Sequence, residues 1–319
     1  MVIFYNKSID FRSFFNKNLI NLECIKMSKI RTVLGFDMET DIGSWTSFYD
    51  GFRIGTPRIL EILDRRGVTA TFFFTADSAK KNPDMVKMVK NAGHEIGCHT
   101  LFHETIGDSL FEIPGMLPIL PEEVEHRIEL CTQIVEDIAG VHPTSFRCPR
   151  LFGSTAVVRA LEKLNYKADA TYPMYFYKEQ LVPYHPSADD WTKKGDMKLV
   201  EIPNFADLSM ESKDQYGRDM DQWPLWRTEN AEAVMKHIEG YGKYCADRNV
   251  EPFLCFYAHP WEFAKMPEGL IHSGEGAVLP DPFIIKNCGE YSAVQFERLI
   301  EMLQNTGYEF YQAGDITVD

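Results

Sequence analysis

The segment Pro252–His259, PFLCFYAH, runs from Phe253 to Ala258 without a polar residue and ends on a histidine. A strand with one wet face alternates apolar and polar side chains. This one does not, so both of its faces are covered, as in a parallel strand buried between helices. Outward from it the same unit repeats. Strands are expected at Arg31–Asp37, Thr69–Asp77, Glu95–Thr100, Ser145–Pro149, Lys167–Thr171, Lys198–Pro203 and Glu309–Gln312. Amphipathic helices are expected between them, at Thr56–Arg66, Pro83–Asn91, Pro121–Ala139, Ser154–Leu164, Glu229–Asp247 and Ala293–Asn305. Asn82 is the expected N-cap of the second helix and Gly93 its stop. Strand and helix alternating this regularly mean an α/β fold with parallel strands and crossover helices. Ile106–Leu120, Tyr172–Met197 and Trp261–Cys288 interrupt the pattern; each is rich in Pro, Gly and aromatics. Because they follow strand C-terminal ends, they are expected to form the rim of a site.

The chain has 319 residues, with 33 Lys+Arg against 47 Asp+Glu and a formal charge of −14. That balance argues against a nucleic-acid partner and offers no polybasic anchor for an anionic membrane. No apolar run approaches the ~18 residues that span a bilayer. Seven cysteines without a CxxC pair point to a reduced, cytoplasmic protein rather than a disulfide framework. The opening residues lack the continuous apolar core of a secretory signal. We expect an N-terminal extension over residues 1–27 and a single barrel domain over 28–319, the working chain starting near Met27. Homo-oligomers are compatible with the loop composition.

Polar residues collect at the strand ends. The first strand ends FDMET, with Asp37 and Glu39 on one face and Asp41 just beyond. The third gives His99, and His103 follows four residues later in HTLFH. That spacing brings both rings to one centre if the chain turns helical past the strand. The fourth ends FRCPR at Arg147, the fifth carries Asp169, and PFLCFYAH ends at His259. A purely structural barrel has no reason to gather so many groups that are costly to desolvate. One carboxylate and two imidazoles suit a divalent ion with open positions, and metal-assisted hydrolysis is the natural chemistry. A spare carboxylate can accept the water's proton and a histidine can protonate a leaving nitrogen. Tyr172, Tyr175, Trp191, Trp223, Trp226 and Trp261 are candidate stacking platforms for a sugar ring, with one or two expected to serve.

In order, FDMET, HTLFH, RCP, the Asp169 strand and HP resemble the five motifs of the NodB-homology polysaccharide deacetylases, carbohydrate esterase family 4. GVTATFFFTAD and GHEIGCHT also look like that family, and the resemblance runs from about Ile30 to Asp319. It implies a distorted (β/α)₇ barrel with one divalent ion, zinc in most members, with cobalt, nickel or manganese as alternatives. It further implies Asp37 as general base and Glu39, His99 and His103 as metal ligands. Arg147 would hold the base, His259 would be the general acid, and Asp169 would set its charge and orientation. The implied reaction removes an acetyl or formyl group from the nitrogen of an amino sugar or related glycan. Most members have two adjacent aspartates in the first motif. Here Met38 separates Asp37 from Glu39, as in a D-x-D subgroup with peptidoglycan-deacetylase-like and allantoinase-like members. Asp41 is therefore an alternative ligand. Hydrolysis of a small cyclic amide or ureide, or sugar binding without turnover, are the alternative functions.

Overall fold

The computed structural model describes residues 30–43, 45–113, 116–273 and 275–318. The expected extension over residues 1–27 lies outside them. Strand β1, Ile30–Met38, is the hub. Its upper part pairs with β2, Thr71–Phe74, and its lower part with β8, Tyr308–Tyr311. Its other edge carries β7, Leu254–Ala258. From β2 the sheet continues through β3 (Glu95–Cys98), β4 (Ser145–Phe146), β5 (Ala168–Asp169) and β6 (Val200–Glu201), every pair parallel. Among the described residues no ladder joins β6 to β7; a backbone bond from the Phe205 N–H to the Cys255 carbonyl at 2.8 Å spans the gap. The result is the expected distorted (β/α)₇ barrel, β1 to β7, with β8 as an added strand.

The helices α1 (Asp50–Arg66), α2 (Ala76–Lys81), α3 (Pro83–Asn91), α4 (Val124–Ala139), α5 (Thr155–Lys163), α6 (Ala231–Ala246) and α7 (Glu290–Asn305) surround the strands. Phe36, Phe72 and Phe74 are fully buried under them, with Phe36 and Phe72 stacked at 4.8 Å. The run of phenylalanines in β2 is thus the two-faced burial that the sequence suggests.

Local chemistry moves several boundaries. Thr75 caps α2 by accepting from the Ser78 N–H at 3.1 Å, so Ala76 and Asp77 are helical rather than the end of a strand. Asn82 does not cap α3 with its side chain. Its amide is held between Arg53 Nε at 2.6 Å and the Ser78 carbonyl at 2.9 Å. The first helix starts at Asp50, six residues before the expected Thr56, because an acidic side chain waits at its N-terminus. That side chain is Asp41, whose carboxylate accepts from the Gly51 N–H at 2.7 Å and the Phe52 N–H at 2.8 Å. An anion at the positive end of a helix satisfies two otherwise orphaned donors. Asp41→Ala is expected to cost about 1 kcal/mol or more, as loss of a helix cap does, read as a lower denaturant midpoint at constant slope.

Candidate active site

The C-terminal ends of β1, β3, β4 and β7 bring their polar residues to one cleft of about 1030 Å³. His99 follows β3 directly. Its Nδ1 lies 2.7 Å from the Arg147 carbonyl oxygen. A carbonyl only accepts, so Nδ1 carries the proton and Nε2 is left with its lone pair toward the site. That Nε2 is buried and has no hydrogen-bond partner among the described residues. Burial, only partly opposed by Asp37 and Glu39, pulls the His99 pKa down to about 4, so the ring is neutral at physiological pH.

Glu39 faces both rings: its Oε2 lies 2.5 Å from His103 Nε2 and 3.9 Å from His99 Nε2. The three ligand atoms lie within 4.8 Å of one another. Burial disfavours the Glu39 carboxylate, but His103, His259 and His99 together outweigh it and hold its pKa at about 2. Two neutral-capable nitrogens, one ionised oxygen and a buried lone pair without a donor fit a single divalent cation. The tether on His99 Nδ1 is the outer hydrogen bond that metal-binding histidines regularly make. Asp41 is not part of this set, because both of its oxygens are taken by the start of α1.

The two histidines do not meet through a helix. Residues 99–104 form a turn in which Thr100 has φ 67° and His103 φ 64°. The Glu104 carboxylate ties it by accepting from the N–H groups of Leu101 at 3.3 Å and Phe102 at 2.7 Å. Left-handed residues fold the chain back more sharply than a helical turn would.

Asp37 lies at the other side of the cleft floor, its Oδ1 accepting from Arg147 Nη1 at 2.8 Å. Arg147 is fully buried, donates Nε to the Ala170 carbonyl at 2.9 Å and lies over the Phe73 ring at 4.5 Å. Gly35 makes room for it: a Cβ there would lie 2.3 Å from Arg147 Nη1. Gly35→Ala is therefore expected to push the guanidinium off Asp37. The stability cost should be about 1–3 kcal/mol, with a concurrent drop in turnover, checked by thermal unfolding and kinetics on the same sample.

His259, at the end of β7, points Nε2 toward Glu39, 3.6 Å from Oε1. The carboxylate on its Nδ1 is that of Glu262, at 2.8 Å, and not Asp169. This corrects the sequence expectation. Pro260 starts a 3₁₀ turn over Pro260–Phe263, and that turn brings Glu262 back onto His259, accepting its backbone N–H as well at 2.9 Å. Glu262 is in turn held by Arg227 Nε at 2.6 Å and Trp223 Nε1 at 2.8 Å. Burial alone would lower the His259 pKa, but the bond to Glu262 and the charge of Glu39 raise it. Asp169 sits on β5, two strands from β7, bonded to the Thr171 hydroxyl and paired with Glu201. Burial pushes its pKa up to about 7. Glu262 and Arg227 are absent from the residues the sequence suggests. The i, i+3 spacing of His259 and Glu262 was the available signal.

The candidate aromatic platforms divide. Tyr172, Trp191 and Trp226 are core residues, while Tyr175, Trp223 and Trp261 line the cleft. Trp45, 58% exposed, joins them without having been suggested by the sequence.

The polysaccharide deacetylase family matches residues 40–168. That range contains His99, His103 and Arg147 but neither the β1 carboxylates nor His259. A peptidoglycan-N-acetylglucosamine deacetylase of Bacillus cereus is 34% identical over 94 residues, 30% of this chain and 30% of that protein. The chain thus spans about a third of that curated relative. Two solved structures share the fold. One is a "probable polysaccharide deacetylase" of Pseudomonas aeruginosa, with TM-score 0.56 and 14% identity, covering 87% of this chain and 86% of that one. The other is the allantoinase PuuE, with TM-score 0.54 and 14% identity, covering 90% and 88%. The resemblance read from the motifs is borne out by the family match and the shared fold.

Proposed function

We propose that this chain, whose residues 40–168 match the polysaccharide deacetylases, removes an N-acyl group from an amino sugar or related glycan. We further propose that it does so with one divalent ion, zinc as the first choice. The observation that carries the reading is a single cleft with an arginine-clamped aspartate, a Glu/His/His set and a histidine facing across it. When bound by Glu39, His99 and His103, the ion would polarise the acyl carbonyl and lower the pKa of a coordinated water.

The chain's own groups supply the proton traffic. Asp37 is the general base: Arg147 holds one of its oxygens, which fixes the carboxylate's orientation. His259 is the general acid. With Nδ1–H donating to Glu262, it presents Nε2 to the cleft, and its raised pKa keeps that nitrogen protonated in more of the neutral range. Glu262 is a positioning residue, itself fixed by Arg227. Trp223 and Trp261 pack against the His259 ring, both at 5.4 Å, and limit its motion.

Protonated His259 is lost as pH rises through its raised pKa, so activity should fall on that alkaline side. Glu262→Gln removes the charge that raises it, and the alkaline limb of kcat should move to lower pH by about one unit. An unmoved limb would mean that His259 is not the acid. The function itself is tested by offering the zinc-loaded protein N-acetylglucosamine oligomers, N-formyl analogues and cyclic ureides. Release of acetate or formate is the expected result. Ring opening alone would replace the deacylase reading with an amidohydrolase one.

A further inference from the structure

Resting on the deacylase reading, the geometry points to a carboxylate beside the N-acyl group of the substrate, held by Arg150. Arg150 lines the cleft a few residues past Arg147, half-buried, and its Nη1 donates to the His103 carbonyl oxygen at 3.2 Å. It therefore stands directly beside the Glu/His/His set. Its backbone is at φ 60°, as is that of Leu151. Two consecutive side-chain-bearing residues in the left-handed region are uncommon, and such strain concentrates where a group must be aimed at a ligand.

The guanidinium also has no carboxylate in contact, although the charge of Glu39 acts on it from further off. Each of the two fully buried arginines, Arg147 and Arg227, has its carboxylate, at 2.8 Å and 2.6 Å. Arg150 has none within 4.0 Å among the described residues, and its one side-chain hydrogen bond goes to a neutral carbonyl. A half-buried guanidinium with free N–H groups is costly unless a ligand brings the countercharge. Meanwhile carboxylates of the same cleft are already occupied. Asp214 accepts from the Tyr216 N–H at 2.9 Å, Asp219 from the Lys213 N–H at 2.8 Å, and Asp221 from the Tyr257 hydroxyl at 2.7 Å. The cleft thus combines committed acceptors with an uncommitted planar donor. That donor matches a carboxylate in a two-pronged pair. An acidic N-acyl amino sugar and an N-acyl amino acid share this chemistry.

The test measures dissociation constants by calorimetry on the zinc-loaded full chain. The probes are N-acetylmuramic acid, its methyl ester, N-acetylglutamate and its dimethyl ester. In the wild type, at least one acid should bind about tenfold more tightly than its ester, the worth of a charged hydrogen-bonded contact. The sugar and amino-acid arms show which scaffold carries the carboxylate. In Arg150→Asn, whose new residue tolerates a positive φ, the acid-to-ester ratio should collapse to about one. Arg150→Lys should retain part of it. In turnover of the acid, the Arg150→Asn loss should fall on KM more than on kcat. Equal affinity of acid and ester in the wild type, or an unchanged ratio in Arg150→Asn, overturns the role of Arg150. Failure to cleave any N-acyl compound overturns the deacylase reading instead, and the binding ratio still decides Arg150.

Discussion

His99→Ala is expected to abolish both metal retention and turnover while leaving the barrel folded. Its Nε2 is a buried lone pair that no group among the described residues satisfies, and its Nδ1 is already tied to the Arg147 carbonyl. Residues that merely orient a ligand cost about 10–100-fold in affinity when removed. Loss of a ligand itself should exceed the upper end of that range. Elemental analysis after dialysis reads the metal, and circular dichroism reads the fold. A variant that keeps one equivalent of zinc and its turnover would remove His99 from the site.

Asp37→Asn separates binding from chemistry. The amide keeps the shape and one acceptor for Arg147, and Asp37 is outside the Glu39, His99 and His103 set, so metal content should be unchanged. Turnover should fall about 10²–10⁴-fold, the usual worth of a positioned general base. Stability should fall as well. The Arg147 guanidinium is fully buried, and removing the charge opposite a buried ion commonly costs about 3–5 kcal/mol. The amide's remaining hydrogen bond should moderate that. The signature is therefore full metal, a lower Tm and almost no activity. Normal turnover would mean that another group is the base.

The barrel was legible because burial on both faces leaves unbroken apolar strands. Phe72–Phe74 and Leu254–Ala258 lie where the pattern puts them. The motif residues were legible too, since β1, β3, β4 and β7 each end on one of them. What the letters concealed was backbone and long-range chemistry. The spacing of His99 and His103 suits a helix, yet Glu104 accepts two N–H groups and holds a left-handed turn there. Asp41 sits two residues after Glu39 and reads as an alternative ligand. Only the arrival of α1 shows that its oxygens are spent. The apolar stripe of Ile59, Leu60, Ile62 and Leu63 starts only past Thr56, so the true start at Asp50, set by Asp41, was hidden. Asp169 and Glu262 were exchanged because Asp169 lies two strands away from β7, while the turn that Pro260 starts folds Glu262 back onto His259. Arg227 lies 35 residues from Glu262 and carries no local pattern that announces the pair.

The most direct measurement is anomalous diffraction at the zinc edge on crystals of the zinc-loaded protein. One peak is predicted within coordination distance of Glu39, His99 and His103, with Asp37 close enough to reach a water in an open position. A peak at Asp41, or full zinc occupancy with those three side chains pointing apart, would contradict the account.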